Sequence, residues 1–283
     1  MPSKKFHGCF TATLTPFIGD SVNLSQIKAH TNWLIENGSE GLCPAGTTGE
    51  FLFLSEEEKS ACNRACIESA GKRIPVVAGV WALSQKEVLR LVKSAESDGA
   101  DGLFLPPPIY YPANDEAVFT WYAAIREISD LPLFAYNIPQ YAANAISFEC
   151  LERLISEGVI SGVKDSTRNA ERIGEMIQRF GDRAIIFAAS DSFVTTGRKL
   201  GADGFISAIS NVMPALVAAV WHGNESKQAE LDKVRGLLKK VGAISGMKYL
   251  LKRQGFDFGH SRIPCSELTD VQKTILDEYK FES

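Results

Sequence analysis

Histidine is scarce in this chain: four residues (His7, His30, His222, His260) among 283, none of them where an apolar strand ends. A metal-dependent aldolase or hydrolase would have too few ligands, and a Ser-His-Asp arrangement would lack its base. The six cysteines (Cys9, Cys43, Cys62, Cys66, Cys150, Cys265) are dispersed through apolar segments, which fits reduced thiols in a cytoplasm rather than a disulfide framework. Cys62 and Cys66 share a helical face, but no further ligands complete a four-coordinate metal site, and packing is the better reading. No GxGxxG follows the first apolar strand and no GxxxxGK[ST] occurs, so the common nucleotide-phosphate cradles are missing. Apolar runs are too short for a membrane span, and "MPSKKFHGCFTATLTPF" has no apolar h-region of a secretory signal. Basic residues are scattered through a chain of net charge −4, leaving no electrostatic footprint for nucleic acid. The expectation is a cytoplasmic protein with neither a nucleic-acid nor a membrane partner.

What is present is a recurring phrase: "ENGSEGLC" from residue 36, "SDGADGLFL" from 97, "SEGVISGVK" from 156 and "KLGADGFIS" from 199. Each closes a helical pattern with a glycine and opens an apolar strand, the composition of a short αβ loop. The second glycines, Gly41, Gly102 and Gly162, recur about every 60 residues, the length of two βα units. Eight apolar strands follow: "GCFTATLTPF", "GLCPAG", "PVVAGV", "GLFLPP", "LPLFAYNI", "SGVKDS", "AIIFAAS" and "GFISAIS". They are continuously apolar, as strands covered on both faces must be, and amphipathic helices separate them. Ser55 with Glu58 and Ser84 with Glu87 are capping boxes that mark two helix starts. The pattern predicts an α/β fold, a TIM (β/α)8 barrel over 1–224, with 225–283 as a C-terminal helical extension packed on its side, all one structural unit.

In such a barrel the chemistry clusters at the C-terminal strand ends. Lys164 closes an apolar run, where lysine is rarely buried without a partner or a task. Two readings stand. Its ammonium pairs with the adjacent Asp165, or burial frees a nucleophilic amine that forms a Schiff base with a ketone. Tyr136 ends the preceding strand, either to relay protons beside that amine or to pack at the mouth with its hydroxyl on a carbonyl. "GTTGE" (46–50) offers two hydroxyls and a run of N–H groups, suited to carboxylate or phosphate oxygens, or is a plain turn that Glu50 ties down through backbone hydrogen bonds.

Taken together, "GTTGE", "PPPIYY", "YNIP", "GVKD" and "GADGFIS" resemble the dihydrodipicolinate synthase and N-acetylneuraminate lyase family, from about Gly8 to the "RIP" at 262–264. The resemblance implies class I aldolase chemistry on pyruvate or a 2-oxo acid with no cofactor and no metal, in a homotetramer built as a dimer of dimers. It implies Lys164 as the Schiff-base residue, Tyr136 as the catalytic tyrosine, and Thr47 and Thr48 as holders of the pyruvate carboxylate, with Thr48 also serving catalysis. Tyr110 falls on the tyrosine that reaches a neighbouring subunit's site, and Ile206 on a position lining the pyruvate pocket. Two departures stand out. The arginine that synthases carry shortly after "YNxP" is replaced here by Tyr141, and the usual glycine after the seventh strand by Ala189, altering the pocket floor. "GVKDST" resembles aldolases of 2-keto-3-deoxy sugar acids, so cleavage of such an acid or a related hydroxy-2-oxo acid, with Tyr141, Asn144, Ser207 and Asn211 toward its tail, is the leading expectation. The alternatives are condensation of pyruvate with aspartate semialdehyde and a non-catalytic 2-oxo-acid sensor.

Overall fold

Parallel strands rich in β-branched and aromatic residues alternate with capped helices along almost the whole chain. The structure, a computed structural model, describes residues 4–280. The barrel strands are β1 (Gly8–Ala12), β2 (Gly41–Cys43), β3 (Val77–Gly79), β4 (Gly102–Leu105), β5 (Leu133–Asn137), β6 (Gly162–Asp165), β7 (Ile185–Ala189) and β8 (Gly204–Ser207). They lie side by side in chain order, with β1 between β2 and β8. A parallel bridge from Leu42 to Val76 closes the ring between β2 and β3. The outer helices are α1 (Leu24–Glu36), α2 (Glu56–Ala70), α3 (Gln85–Ser97), α4 (Asp115–Arg126), α5 (Phe148–Ser156), α6 (Ala170–Phe180), α7 (Val194–Leu200) and α8 (Pro214–Trp221). Both expected capping boxes form, Ser55 with Glu58 and Ser84 with Glu87. The first glycine of each recurring phrase adopts the left-handed conformation foreseen for a helix cap: Gly38, Gly99, Gly158 and Gly201 have φ of 95, 85, 67 and 91°.

The second glycines have a different cause. The barrel interior is a core of its own, floored by Phe6, Phe10, Phe134 and Phe187, whose rings meet edge to face with centroids 5.0 to 5.5 Å apart. Each glycine leaves room for a ring. A Cβ on Gly41 would lie 2.2 Å from Phe10 and one on Gly204 2.4 Å from Phe187, while one on Gly162 would lie 2.4 Å from the Ile185 carbonyl oxygen and 2.9 Å from Phe134. A separate and larger apolar layer fills the space between strands and helices.

Beyond α8 the chain forms α9 (Gln228–Val241), α10 (Ala243–Arg253) and α11 (Asp270–Asp277). Phe256 and Phe258, which follow α10, enclose His30 of α1 with ring centroids at 5.6 and 4.9 Å. His30 Nε2 donates to the Asn211 carbonyl at 2.8 Å. No helix of the described residues is long and apolar enough to cross a membrane.

Two outcomes follow from this packing. Gly41→Ala is expected to destabilise the protein by about 1–3 kcal/mol through overpacking against Phe10, with Phe10→Leu restoring part of the loss in thermal melts. Burial pushes the His30 imidazole down from 6.5 to about 4. The folded state therefore refuses a proton that the unfolded chain accepts, so this contribution is complete above pH 6.5 and is lost as pH falls toward 4. Melting temperature should drop across that window more steeply in the wild type than in His30→Gln.

Candidate active site

The register of β5 and β6 builds the centre of the site. Tyr136 pairs with Lys164 and Asn137 with Asp165, and because strand side chains alternate, the first pair faces the interior and the second faces the helices. Lys164 is buried, 5% exposed, with Nζ 3.8 Å from the centroid of the Tyr136 ring and 5.5 Å from that of Phe104. Among the described residues it has no carboxylate within ion-pair distance. Asp165, the partner considered from sequence, is turned away: Arg172 Nε binds its Oδ2 at 3.1 Å, Asn137 Nδ2 donates to the same oxygen at 2.7 Å, and Thr167 N donates to Oδ1 at 2.9 Å. The ion-pair reading of Lys164 is thereby overturned, since backbone alternation separates the two side chains. Tyr136 keeps the packing reading in its ring, which lies edge-on to Trp81 with centroids 5.3 Å apart, and departs from it at the hydroxyl. Its hydroxyl accepts from the Ser166 hydroxyl at 3.5 Å and meets no carbonyl. Burial pushes the nearby Cys43 thiol up to about 12, so it stands beside the lysine as a neutral thiol.

The "GTTGE" turn follows β2. Glu50 N bonds Thr47 O at 3.2 Å, Phe51 N bonds Gly46 O at 3.3 Å, and the Thr15 hydroxyl holds Gly49 O at 2.7 Å. Within the described residues the N–H groups of Thr47, Thr48 and Gly49 have no acceptor. Thr47 Oγ1 is buried without a partner. Donors left unpaired at a barrel mouth are an anion-binding arrangement. Glu50 does more than tie its own turn. Its carboxylate accepts from Arg262 N at 2.8 Å and pairs with buried Lys248 at 2.6 Å. Lys248 Nζ also donates to His260 O at 3.0 Å. The turn is thus pinned to the C-terminal extension, which the sequence did not disclose.

A cavity of about 720 Å³ opens above these groups, lined by Thr47, Thr48, Tyr136 and Tyr141 and, on the far side, by Arg235, Lys240 and Ser245 of the extension. The extension therefore roofs the site as well as packing on the barrel. Ile206 and Ala189 are register partners at the ends of β8 and β7, both buried, below the lining. Tyr110 stands 79% exposed with φ of 79°, its ring edge-on to Tyr111.

Three residues foreseen for the substrate tail are committed elsewhere. Asn144 Nδ2 holds Pro108 O and Tyr111 O at 2.7 and 2.8 Å. Asn211 joins Leu14 N to Ala12 O, and Ser207 donates to Asp191. Burial pushes the Asp191 carboxyl up against that hydrogen bond. Tyr141 lines the cavity in place of the synthases' arginine, but two guanidinium groups reach it from elsewhere, those of Arg168 and Arg235. Ser166 was readable as the next inward position after Lys164. Arg168 lay in a strand-end loop that deserved the same scrutiny, whereas Arg235 and Lys240 come from helices with no local signal of a site.

The Dihydrodipicolinate synthetase family model matches residues 5–279. A 4-hydroxy-tetrahydrodipicolinate synthase of Bradyrhizobium diazoefficiens is 35% identical over 280 residues, 96% of this chain and 95% of the relative. The crystal structure of a dihydrodipicolinate synthase from Bacillus anthracis superposes with a TM-score of 0.89 at 28% identity, covering 96% of this chain and 97% of the other. A sialic acid aldolase of Ruminococcus gnavus, 24% identical with a TM-score of 0.93 over 97% of this chain and 95% of the other, shares the fold. With matched register, an interior lysine and a family match along nearly its whole length, the chain belongs to the dihydrodipicolinate synthetase family, a family of pyruvate-dependent lyases.

Proposed function

We propose that this protein is a class I aldolase in which Lys164 forms the Schiff base with pyruvate or the 2-oxo group of a longer acid. The observation that carries the assignment is the Lys164 amine over the Tyr136 ring at 3.8 Å, on the interior face of a closed barrel. The amine adds to the ketone, and the carbonyl oxygen leaves as water after taking up protons that Tyr136 relays, with Ser166 steadying its hydroxyl. Thr48 and Tyr110 assist that relay. The substrate carboxylate is held by the free N–H groups and hydroxyls of Thr47 and Thr48, and Ile206 and Ala189 bound the methyl side of the pocket. The protonated imine withdraws electrons from the C3–C4 bond, so the C4 hydroxyl gives up its proton, the bond breaks and an aldehyde departs. Protonation of the enamine and hydrolysis release pyruvate and restore the lysine. The lysine is itself the electron sink, so the reaction asks for no cofactor.

The substrate we favour is a 2-keto-3-deoxy sugar acid or related hydroxy-2-oxo acid. The cavity volume, about 720 Å³, suits a tail longer than the pyruvate unit, and the Tyr141 and Ser190 hydroxyls offer neutral donors and acceptors along its lining. Condensation of pyruvate with aspartate semialdehyde is the second reading, favoured by the arginines of the lining and by the names of the relatives. A cytoplasmic homotetramer, with Tyr110 reaching a neighbour's site, completes the proposal; the exposure of Tyr110 supports it.

Parallel assays of pyruvate release from hydroxy-2-oxo acids and of aspartate semialdehyde condensation test the assignment. Efficiency for cleavage is expected to exceed that for condensation, since aspartate semialdehyde brings no hydroxyl beside its aldehyde carbon to the neutral groups of the lining. The reverse ranking establishes the second reading, and no turnover of either leaves only a binding protein. Tyr136→Phe should fold normally and slow turnover by about 10² to 10⁴. A loss below about threefold would remove Tyr136 from the proton relay.

A further inference from the structure

We infer that Arg168 receives an anionic group, carboxylate or phosphate, at the far end of the aldehyde partner, and so sets substrate class in the aldolase reaction proposed above, on which this inference rests. Arg168 lies four residues beyond Lys164 in the loop after β6, and it lines the cavity that Tyr136 also lines. Its φ is 60°, in the left-handed region. A glycine would adopt that conformation without strain, so a bulky residue there is a cost that a site tolerates for a purpose. Of the seven non-glycine residues with positive φ among the described residues, only Lys72 lies away from the C-terminal strand ends. Strain is concentrated where the chemistry is.

The loop is held so that Arg168 is presented to the cavity. Asp165 fixes Thr167 N at 2.9 Å, the Thr167 hydroxyl receives Asn169 N at 3.3 Å, and Gln140 Nε2 holds Ser166 O at 3.2 Å. The guanidinium itself forms no hydrogen bond and no ion pair among the described residues. Arg235 and Lys240, which line the same cavity, are likewise unpaired there. The one carboxylate of the lining, Asp191, is buried, takes the Ser207 hydroxyl and feels the charge of Arg235. Three cations thus face one committed anion in a protein of net charge −4. Such a concavity concentrates anionic ligands and steers their approach. A planar guanidinium fork gives a terminal carboxylate or phosphate two parallel hydrogen bonds.

The reaction itself stays balanced and without redox change. The enamine carbon of pyruvate bonds to the aldehyde carbon, the aldehyde oxygen takes a proton to become the new hydroxyl, and water hydrolyses the imine. The distal anion takes no part in bond making, so its recognition appears in the aldehyde KM and in selectivity.

Three aldehydes of three carbons that differ at the far end test this: glyceraldehyde, tartronate semialdehyde with a carboxylate, and glyceraldehyde 3-phosphate. Each is condensed with pyruvate by the wild type, Arg168→Gly and Arg168→Lys, with thermal melts as a check on folding. At least one anionic aldehyde should exceed glyceraldehyde in kcat/KM by about tenfold or more in the wild type, and the better of the two identifies the group. Arg168→Gly should erase most of that ratio through the aldehyde KM, Arg168→Lys should keep part of it, and added salt should shrink it in the wild type. Equal efficiency for all three aldehydes, or an unchanged ratio in Arg168→Gly, would overturn the inference. Borohydride trapping of pyruvate on the wild type reads the aldolase assignment separately. Its absence overturns the parent proposal, whereas trapping without charge selectivity overturns only the role of Arg168.

Discussion

One register decides the candidate site of this fold: Tyr136 opposite Lys164 on neighbouring parallel strands. Side-chain direction alternates along a strand, so a slip of one residue would put Asp165 inside the barrel and send the lysine toward α6. The interior would then hold a carboxylate with no partner. In the observed register Asp165 meets Arg172 and Asn137 outside, and the lysine stands alone above an aromatic floor. Asp165 therefore contributes by position. It anchors the loop that carries Ser166 and Arg168, and Asn137, which donates to Asp165 and accepts from Ile146 N, joins that loop to the one after β5.

A register is only as firm as the core that enforces it, and here the inner core is made from glycine paired with phenylalanine. Gly41, Gly162 and Gly204 clear the space that Phe10, Phe134 and Phe187 fill, so each strand's placement depends on its neighbour's ring. The mouth is secured differently. Buried Glu50 and Lys248 lie 2.6 Å apart and tie the threonine turn to the extension. Removing either partner would strand a buried charge, at a cost of about 3–5 kcal/mol. The pair makes the extension part of the site, because the helices that satisfy Glu50 also roof the cavity.

Much of this was legible in the chain itself. Continuous apolar strands, glycine caps at Gly38, Gly99, Gly158 and Gly201, and two capping boxes are local features, and local physics sets them whatever the rest of the fold does. Lys164 and Tyr136 were legible because a lysine at the end of an apolar run violates the ordinary rule of burial. The partnerships of Asp165, Glu50, Asn144 and Asn211 were not, since each depends on which distant residue the fold brings near. Glu50 meets Arg262 across 212 positions of sequence. The cations of the cavity escaped for the same reason: two of them belong to α9, and Arg168 looked like an ordinary loop residue until its backbone conformation was known.

The most direct test of the central claim is covalent. Incubated with pyruvate and borohydride, the protein should gain one reduced pyruvyl group, and peptide mapping should locate it on Lys164. Lys164→Ala should remain folded and unlabelled. Labelling that persists in that variant, or that maps to another lysine, would contradict the account.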